Sequence, residues 1–270
     1  MAGKKERQRK LARERYQRQQ ARRAQHMDKI RKRATVTGCV CAVAAIGVGG
    51  YFLFGTGGGK PAAATPSASA SPTTSAAATA SEPAHHCTYI PSGTAARKVS
   101  LPPSAPNYTA SYQATITTNR GSIVINLLNS KATCTVNSFV HLAEQKYFSS
   151  TKCHRLTTSG IYVLQCGDPA GTGSGGPGYA FGNENLAGAK YTAGTVAMAN
   201  TGQPNSNGSQ FFLVYKNSPL PASYTPFGTV TQGLDIVQNV AKAGSDNSNG
   251  SGDGHPKENV VIESVTIKQT

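Results

Sequence analysis

The chain has 270 residues, 27 Lys and Arg against 12 Asp and Glu, six cysteines and no tryptophan. Its formal charge of +15 would suit a nucleic-acid binder, but residues 1–33 hold 14 Lys and Arg against three acidic residues, so +11 of that total sits in one terminal tail. The basic character belongs to that tail, which excludes a uniformly basic folded domain.

Residues 34–54, ATVTGCVCAVAAIGVGGYFLF, carry no charge over 21 positions, about the ~20 that a helix needs to cross a bilayer. The basic excess on their N-terminal side predicts residues 1–33 in the cytoplasm and the rest of the chain outside. The tail then serves as an orientation signal that also touches anionic lipid, and no nucleic-acid partner is expected. A cleaved secretory signal is the alternative, but its apolar core usually spans about 7–15 residues, so the anchor is preferred. Val36–Cys39, VTGC, precedes the apolar stretch instead of following it, which rules out a lipidation box. Residues 55–86 are dominated by Ala, Ser, Thr, Pro and Gly with no apolar period. They read as a linker that cannot bury enough surface to offset its ordering entropy, with His85 and His86 as its solvated end.

Cys39 and Cys41 fall in the apolar segment. Cys87, Cys134, Cys153 and Cys166 all lie in the exported part, where an even count suggests up to two disulfides with three pairings open. No C-x₂-C pair occurs among them, which disfavours zinc; no metal site is expected. Residues 87–110 form a Cys-containing extension ahead of the main domain, residues 111–270.

From Ser111 the pattern turns β. SYQATITTNRGSIVINLL predicts two strands around a turn at Asn119–Gly121, with Ile123, Ile125 and Leu127 on one face. Next, Val136, Phe139, Val140 and Ala143 recur at helical spacing, with Thr133 or Thr135 as N-cap. Short strands are predicted at Cys153–Thr157, Ile161–Cys166, Thr195–Ala199, Phe211–Tyr215 and Pro226–Val230. A second helix has Leu234, Val237 and Val240 on one side and stops at Gly244. NVVIESVTIKQT is the last strand. Many short strands with two helices predict a mainly β fold, a closed barrel capped by helices.

The chemistry gathers in CHRLTTSGIYVLQCGDP, Cys153 to Pro169. Cys153 and His154 are neighbours on a strand and point to opposite faces, so they make no nucleophile–base dyad; His154 is expected to pack. Arg155 and Gln165 share one surface if their strands form a hairpin. TGQPNSNGSQFFLVY, Thr201 to Tyr215, holds more hydrogen-bonding side chains than a turn requires, beside two phenylalanines. That suits a groove which pairs a peptide backbone next to an apolar slot. GDPAGTGSGGPG lacks the Gly-Lys-Ser/Thr ending of a phosphate loop, and SDNSNGSGDG, Ser245–Gly254, reads as a mobile loop in preference to a calcium site.

In order and spacing, HR, QCGDP, GTGSGGPG, VAMAN, NSNGSQFF and FGTV resemble the cyclophilin-type peptidyl-prolyl cis-trans isomerases over residues 111–268. The cysteines, basic tail and apolar segment are similar to the anchored cyclophilins of Gram-positive bacteria. The resemblance implies a closed eight-stranded antiparallel barrel capped by two helices, with Arg155 as the catalytic residue. It implies that Gln165, Asn200 and Gln210 hold the substrate backbone. Phe212, Tyr162 and Val163 are implied as walls of a proline pocket, with Met198 and Ala199 beside it and Leu220 and Tyr224 completing it. Two extra residues separate Arg155 from Gln165 relative to the usual family spacing, and Phe227 is expected in the core.

The implied activity is acceleration of X-Pro rotation in exported proteins. Its partners would be proline-containing segments of unfolded chains, with no cofactor and a monomeric enzyme. Rotation must break amide conjugation, a barrier of about 18–20 kcal/mol. At the twisted transition state the prolyl nitrogen regains a lone pair that a guanidinium can bond. The alternative function is an exported peptide-binding module or holdase, which would have no need of Arg155.

Overall fold

The computed structural model describes residues 86–270. The expected tail (1–33), membrane helix (34–54) and the linker up to residue 85 lie outside them. Among the described residues no helix is long and apolar enough to cross a membrane.

The extension contributes β1 (Ile90–Pro91). The main domain begins with β2 (Tyr112–Thr118) and β3 (Gly121–Leu127), paired from Tyr112–Leu127 to Thr118–Gly121. Ile123, Ile125 and Leu127 all face the core, as their alternation requires. Helix α1 (Thr133–Glu144) buries Val136, Phe139, Leu142 and Ala143.

Its cap differs from the expectation. Ala132 occupies the N-cap and makes no side-chain capping bond, while Thr133 lies inside the first turn and donates back to the Asn129 carbonyl at 2.6 Å. The free N–H groups go instead to a remote carboxylate. Glu184 accepts from the amides of Cys134 and Thr135 at 3.0 and 2.7 Å and from Thr135 Oγ1 at 2.7 Å. An anion there satisfies orphan donors and complements the helix dipole.

Of the expected strand at Cys153–Thr157 only Arg155–Thr157 forms β5, and a separate short strand, β4 (Thr151–Lys152), precedes it. Then come β6 (Val163–Cys166), β7 (Tyr179–Ala180), β8 (Thr195–Met198), β9 (Phe211–Val214) and β10 (Pro226–Gln232). Helix α2 (Leu234–Ala243) stops at Gly244, whose φ is 83°. Two strands complete the chain, β11 (Asp253–Gly254) and β12 (Val261–Gln269). The predicted mobile loop at 245–254 thus carries β11, which pairs with β5, and Asp246 ties it by accepting from Ser248 and from the His255 amide.

The main sheet is antiparallel, in the order β11-β5-β6-β9-β8-β10-β3-β2-β12-β4, and β1 pairs with β7 separately. Its ladder therefore has ten strands with β11 and β4 as outer members, where a closed ring of eight was expected. It must curl strongly. β4 and β5 lie eight strand steps apart, ~38 Å in a flat sheet at ~4.8 Å per step. Only Cys153 and His154 separate them, and that link spans at most about 11 Å.

Inside the curl, Phe139 stacks on Phe148, Phe211 and Phe227 with centroids 5.1, 5.5 and 5.3 Å apart. Phe227 is core, as expected. Disulfides join Cys87 to Cys134 and Cys153 to Cys166. The first ties the extension to α1, and the second closes the base of the β5–β6 hairpin.

Candidate active site

Strand register builds the site. Arg155 lies opposite Gln165 and Leu156 opposite Leu164; Gln165 lies opposite Phe212, and Phe212 opposite Ala197. Facing residues on neighbouring strands share a side, so Arg155, Gln165, Phe212 and Ala197 line one face. Leu156, Leu164, Phe211 and Met198 line the other, which is the core.

On the outer face a chain of polar contacts runs along the strands. Asp253 accepts from Arg155 Nε at 2.8 Å and Nη2 at 2.7 Å, a bidentate grip. Arg155 Nη1 donates to Gln165 Oε1 at 3.4 Å. Gln165 Nε2 donates to Gln210 Oε1 at 2.8 Å, and Gln210 Nε2 to the Gly175 carbonyl at 2.9 Å. Arg155 is half-buried, and its hydrogen bonds to Asp253 raise its already high pKa. For Asp253, burial pushes the carboxyl up, but the hydrogen bonds and charge of Arg155 outweigh it and hold Asp253 below the usual range. The pair is charged throughout the physiological range, with Nη1 its least engaged corner.

Beside this line lies an apolar cluster of Val163, Phe212, Ala199, Leu220 and Tyr224, together with Ile161 and Tyr191, the candidate slot. Phe212 and Tyr224 meet edge to face at 5.6 Å. Tyr191 fixes the slot's rim: its hydroxyl donates to the Tyr224 carbonyl at 2.7 Å and accepts from the Tyr224 amide at 3.0 Å. A cavity of about 730 Å³ is lined by Gln165, Ala199, Asn200, Gln210 and the 201–209 segment. Asn200 Nδ2 donates to the Ser223 carbonyl at 2.8 Å. Asn207, fully buried, bonds the Gly182 carbonyl at 2.7 Å and Asn183 at 2.9 Å. Part of the amide-rich run is thus spent on holding its own loop.

Tyr162, expected as a wall of the slot, and Met198, expected beside it, both lie elsewhere. Met198 pairs with Phe211 and is buried in the core, because strand alternation hands the slot to its neighbours Ala197 and Ala199. Tyr162 stacks on Tyr215 at 6.0 Å with Lys216 Nζ 4.6 Å over its ring. It borders a separate cavity of about 350 Å³. Val163 takes the slot side, and Ile161 packs there in place of Tyr162. His154 packs as expected; burial lowers its pKa, with the negative charge of Asp168 opposing. Asp253, Tyr191, Ile161 and Glu184 were not singled out by the sequence.

The family described as cyclophilin type peptidyl-prolyl cis-trans isomerase/CLD matches residues 113–267. The chain belongs to the cyclophilins. Among curated relatives, this cyclophilin is 47% identical over 199 residues to the probable peptidyl-prolyl cis-trans isomerase B of Mycobacterium leprae, covering 67% of this chain and 66% of the relative. For the counterpart of Mycobacterium tuberculosis H37Rv the values are 46%, 67% and 64%. The alignments thus span just under two thirds of those relatives' lengths. A crystal structure of a Cryptosporidium parvum cyclophilin superposes with a TM-score of 0.53 at 30% identity, covering 59% of this chain and 99% of that one. A second structure of that protein, determined in the presence of the dipeptide Ala-Pro, gives 0.52 over 58% and 99%.

Proposed function

We propose that the protein is a peptidyl-prolyl cis-trans isomerase acting on proline-containing segments of exported, unfolded chains, with Arg155 as its catalytic residue. The observation that carries this reading is a fixed guanidinium beside an apolar slot and a line of amides. The prolyl ring enters the slot between Phe212, Val163, Leu220 and Tyr224. Gln165, Gln210 and Asn200 bond the peptide's N–H and C=O groups on the neighbouring side. Arg155 Nη1 exchanges its long bond to Gln165 for one to the prolyl nitrogen.

That nitrogen is planar and a poor acceptor in the ground state but pyramidal, with a free lone pair, when the bond is twisted. The bond to Arg155 is therefore strongest at the transition state, which is the differential that raises rate. Asp253 supplies the orientation, since a bidentate carboxylate holds a guanidinium plane where a single contact would let it turn. No group is transferred, and these steps use only the chain's own residues.

Two further readings belong to this proposal. With β4 and β5 counted as two arms of one bent strand and the two-residue β11 set aside, eight principal strands surround the core and support the closed barrel of the family. Export and anchoring are supported by the uncharged stretch 34–54 beneath a basic tail and by two disulfides in the folded domain, which favour an oxidising compartment. The domain limits of 34–54, 55–86 and 87–110 follow from that reading, and the enzyme is taken as a monomer.

The test is the isomerisation rate of a proline tetrapeptide, followed by exchange spectroscopy with the full chain at catalytic amounts. Uncatalysed isomerisation takes tens to hundreds of seconds, and acceleration by orders of magnitude is expected. Peptide binding with an unchanged rate would leave the holdase reading in its place.

A further inference from the structure

The segment ahead of Ser111 lies outside the family match, yet it is built into the domain at several points. Cys87 is bonded to Cys134 on α1. Tyr89 Oη donates to the Cys134 carbonyl at 2.8 Å and accepts from Asn137 at 2.8 Å, while its ring packs edge-on against Tyr179 and Phe181. β1 pairs with β7, and the ladder is prolonged by Ser92 N–H to the Gly178 carbonyl at 2.9 Å and Ala96 N–H to the Gly176 carbonyl at 2.8 Å. Arg97 Nη1 donates to the carbonyls of Tyr147 and Ser149 at 2.6 and 2.7 Å.

The glycine-rich run GTGSGGPG, left without a role by the sequence, lies against this segment at Gly175 and Gly178. A Cβ at Gly178 would stand 3.1 Å from Ala95 Cβ, and one at Gly175 would stand 3.0 Å from Ala96 Cβ and 2.0 Å from Asp168 Oδ1. A side chain at Gly178 would crowd the extension at Ala95, whereas one at Gly175 would meet Asp168 before Ala96.

Between its anchors the extension bridges the cavity. Ser92, Gly93 and Thr94 line the 730 Å³ space that also contains Gln165, Asn200 and Gln210. The volume falls in the range of a ligand pocket, about 300–1,000 Å³. None of its lining residues is charged, and hydroxyls, amides and glycine backbone dominate. A charged side chain entering it would lose solvent without gaining a counter-ion, whereas an uncharged hydrogen-bonding one would find partners.

We propose that Ser92–Thr94 form the outer wall of a second substrate subsite, selecting an uncharged, hydrogen-bonding side chain at one position flanking the substrate proline. This rests on the peptide-isomerase reading of the adjacent site. The Cys87–Cys134 disulfide holds the wall in place, so the extension is a specificity element of the enzyme.

The test is peptide binding by calorimetry, with isomerisation measured in parallel. The peptides share one X-Pro core and carry Gln, Glu or Lys at one flanking position at a time. The full chain is compared with Thr94→Lys and Thr94→Glu, both at an exposed position. The wild-type chain is expected to bind the Gln peptide about tenfold more tightly than either charged one, at one flanking position only. Thr94→Lys shifts the Glu-to-Lys affinity ratio towards Glu at that position, and Thr94→Glu shifts it towards Lys, each by about fivefold. Lys98→Glu, a charge change on the same segment outside the cavity lining, leaves the ratio as in the wild type. Ratios unmoved by the Thr94 variants, or moved equally at every flanking position, overturn the proposal. The ratios come from binding, so a shifted preference without catalysis sustains the subsite and removes only the isomerase reading.

Discussion

Asp253 holds two of the three guanidinium nitrogens of Arg155, with its oxygens 2.8 Å from Nε and 2.7 Å from Nη2. The third nitrogen faces Gln165 at 3.4 Å. The carboxylate thereby leaves Nη1 as the least engaged corner, the one that the proposed mechanism assigns to substrate.

Asp253→Asn tests that division. The amide offers only one acceptor oxygen, so the guanidinium plane loosens. A misplacement of this kind costs about tenfold to a hundredfold in kcat, with KM expected within about twofold of wild type. The pH profile gives an independent readout. A carboxyl held low in the folded state stays charged above its unfolded value near ~3.9 and loses its contribution only as pH falls through the lower folded value. The wild-type rate is therefore level through neutral and mildly acidic pH, and its acid limb disappears in Asp253→Asn. An unchanged kcat would assign the pair to the fold alone.

Stability should depend on His154 in the same direction but over a less acidic range. Burial lowers its pKa, so below ~6.5 the unfolded chain binds a proton that the folded chain refuses. Stability then rises with pH in that window and is lost as pH falls from ~6.5 towards the folded value. Urea midpoints at pH 7.5 and 5.5 are expected to differ more for the wild type than for His154→Gln. Equal differences would contradict a buried, neutral histidine.

Glu184→Ala removes the remote cap of α1. Loss of a helix cap costs about 1 kcal/mol, and in a domain of this size that lowers Tm by about 2–4 °C. The melting curve measures it directly. An unchanged Tm would mean that water or another group satisfies Cys134 and Thr135 equally well.

Phe212→Ala and Tyr162→Ala separate the slot from the neighbouring cavity. Losing the Phe212 ring removes about 1.5–3 kcal/mol of apolar burial, so KM should rise at least about tenfold. Tyr162→Ala should leave KM within about twofold. The reverse pattern would return Tyr162 to the slot.

What the sequence revealed, and what it hid, follows the range of the forces involved. Periodicity is local, so the inward face of β3, the apolar face of α1 and the stop of α2 at Gly244 were readable. The hairpin that aligns Arg155 with Gln165 was also readable, because ten residues separate them. Asp253 was not. It is 98 positions from Arg155, in a run of Asn, Gly, Ser and Asp whose composition is that of a solvated loop, and only the pairing of β11 with β5 brings it in. Glu184 likewise caps a helix 49 and 50 residues earlier, so the local threonines appeared sufficient.

Met198 and Tyr162 show a different limit. A motif carries residues over as a block, but strand alternation divides every block between two faces. Along the β5–β6 connection Ile161 and Val163 pack on the slot side, and Tyr162, between them, turns to the other face.

The most direct test of the account is Arg155→Ala in the full chain, with isomerisation rate and peptide affinity measured on the same proline substrate. Removing one preorganised donor to the transition state costs about 10²–10³ in kcat, while the slot and amides are untouched. The account predicts a rate reduced by that factor with affinity within about threefold of wild type. A variant that keeps the wild-type rate, or loses rate only in proportion to affinity, would contradict a catalytic role for Arg155.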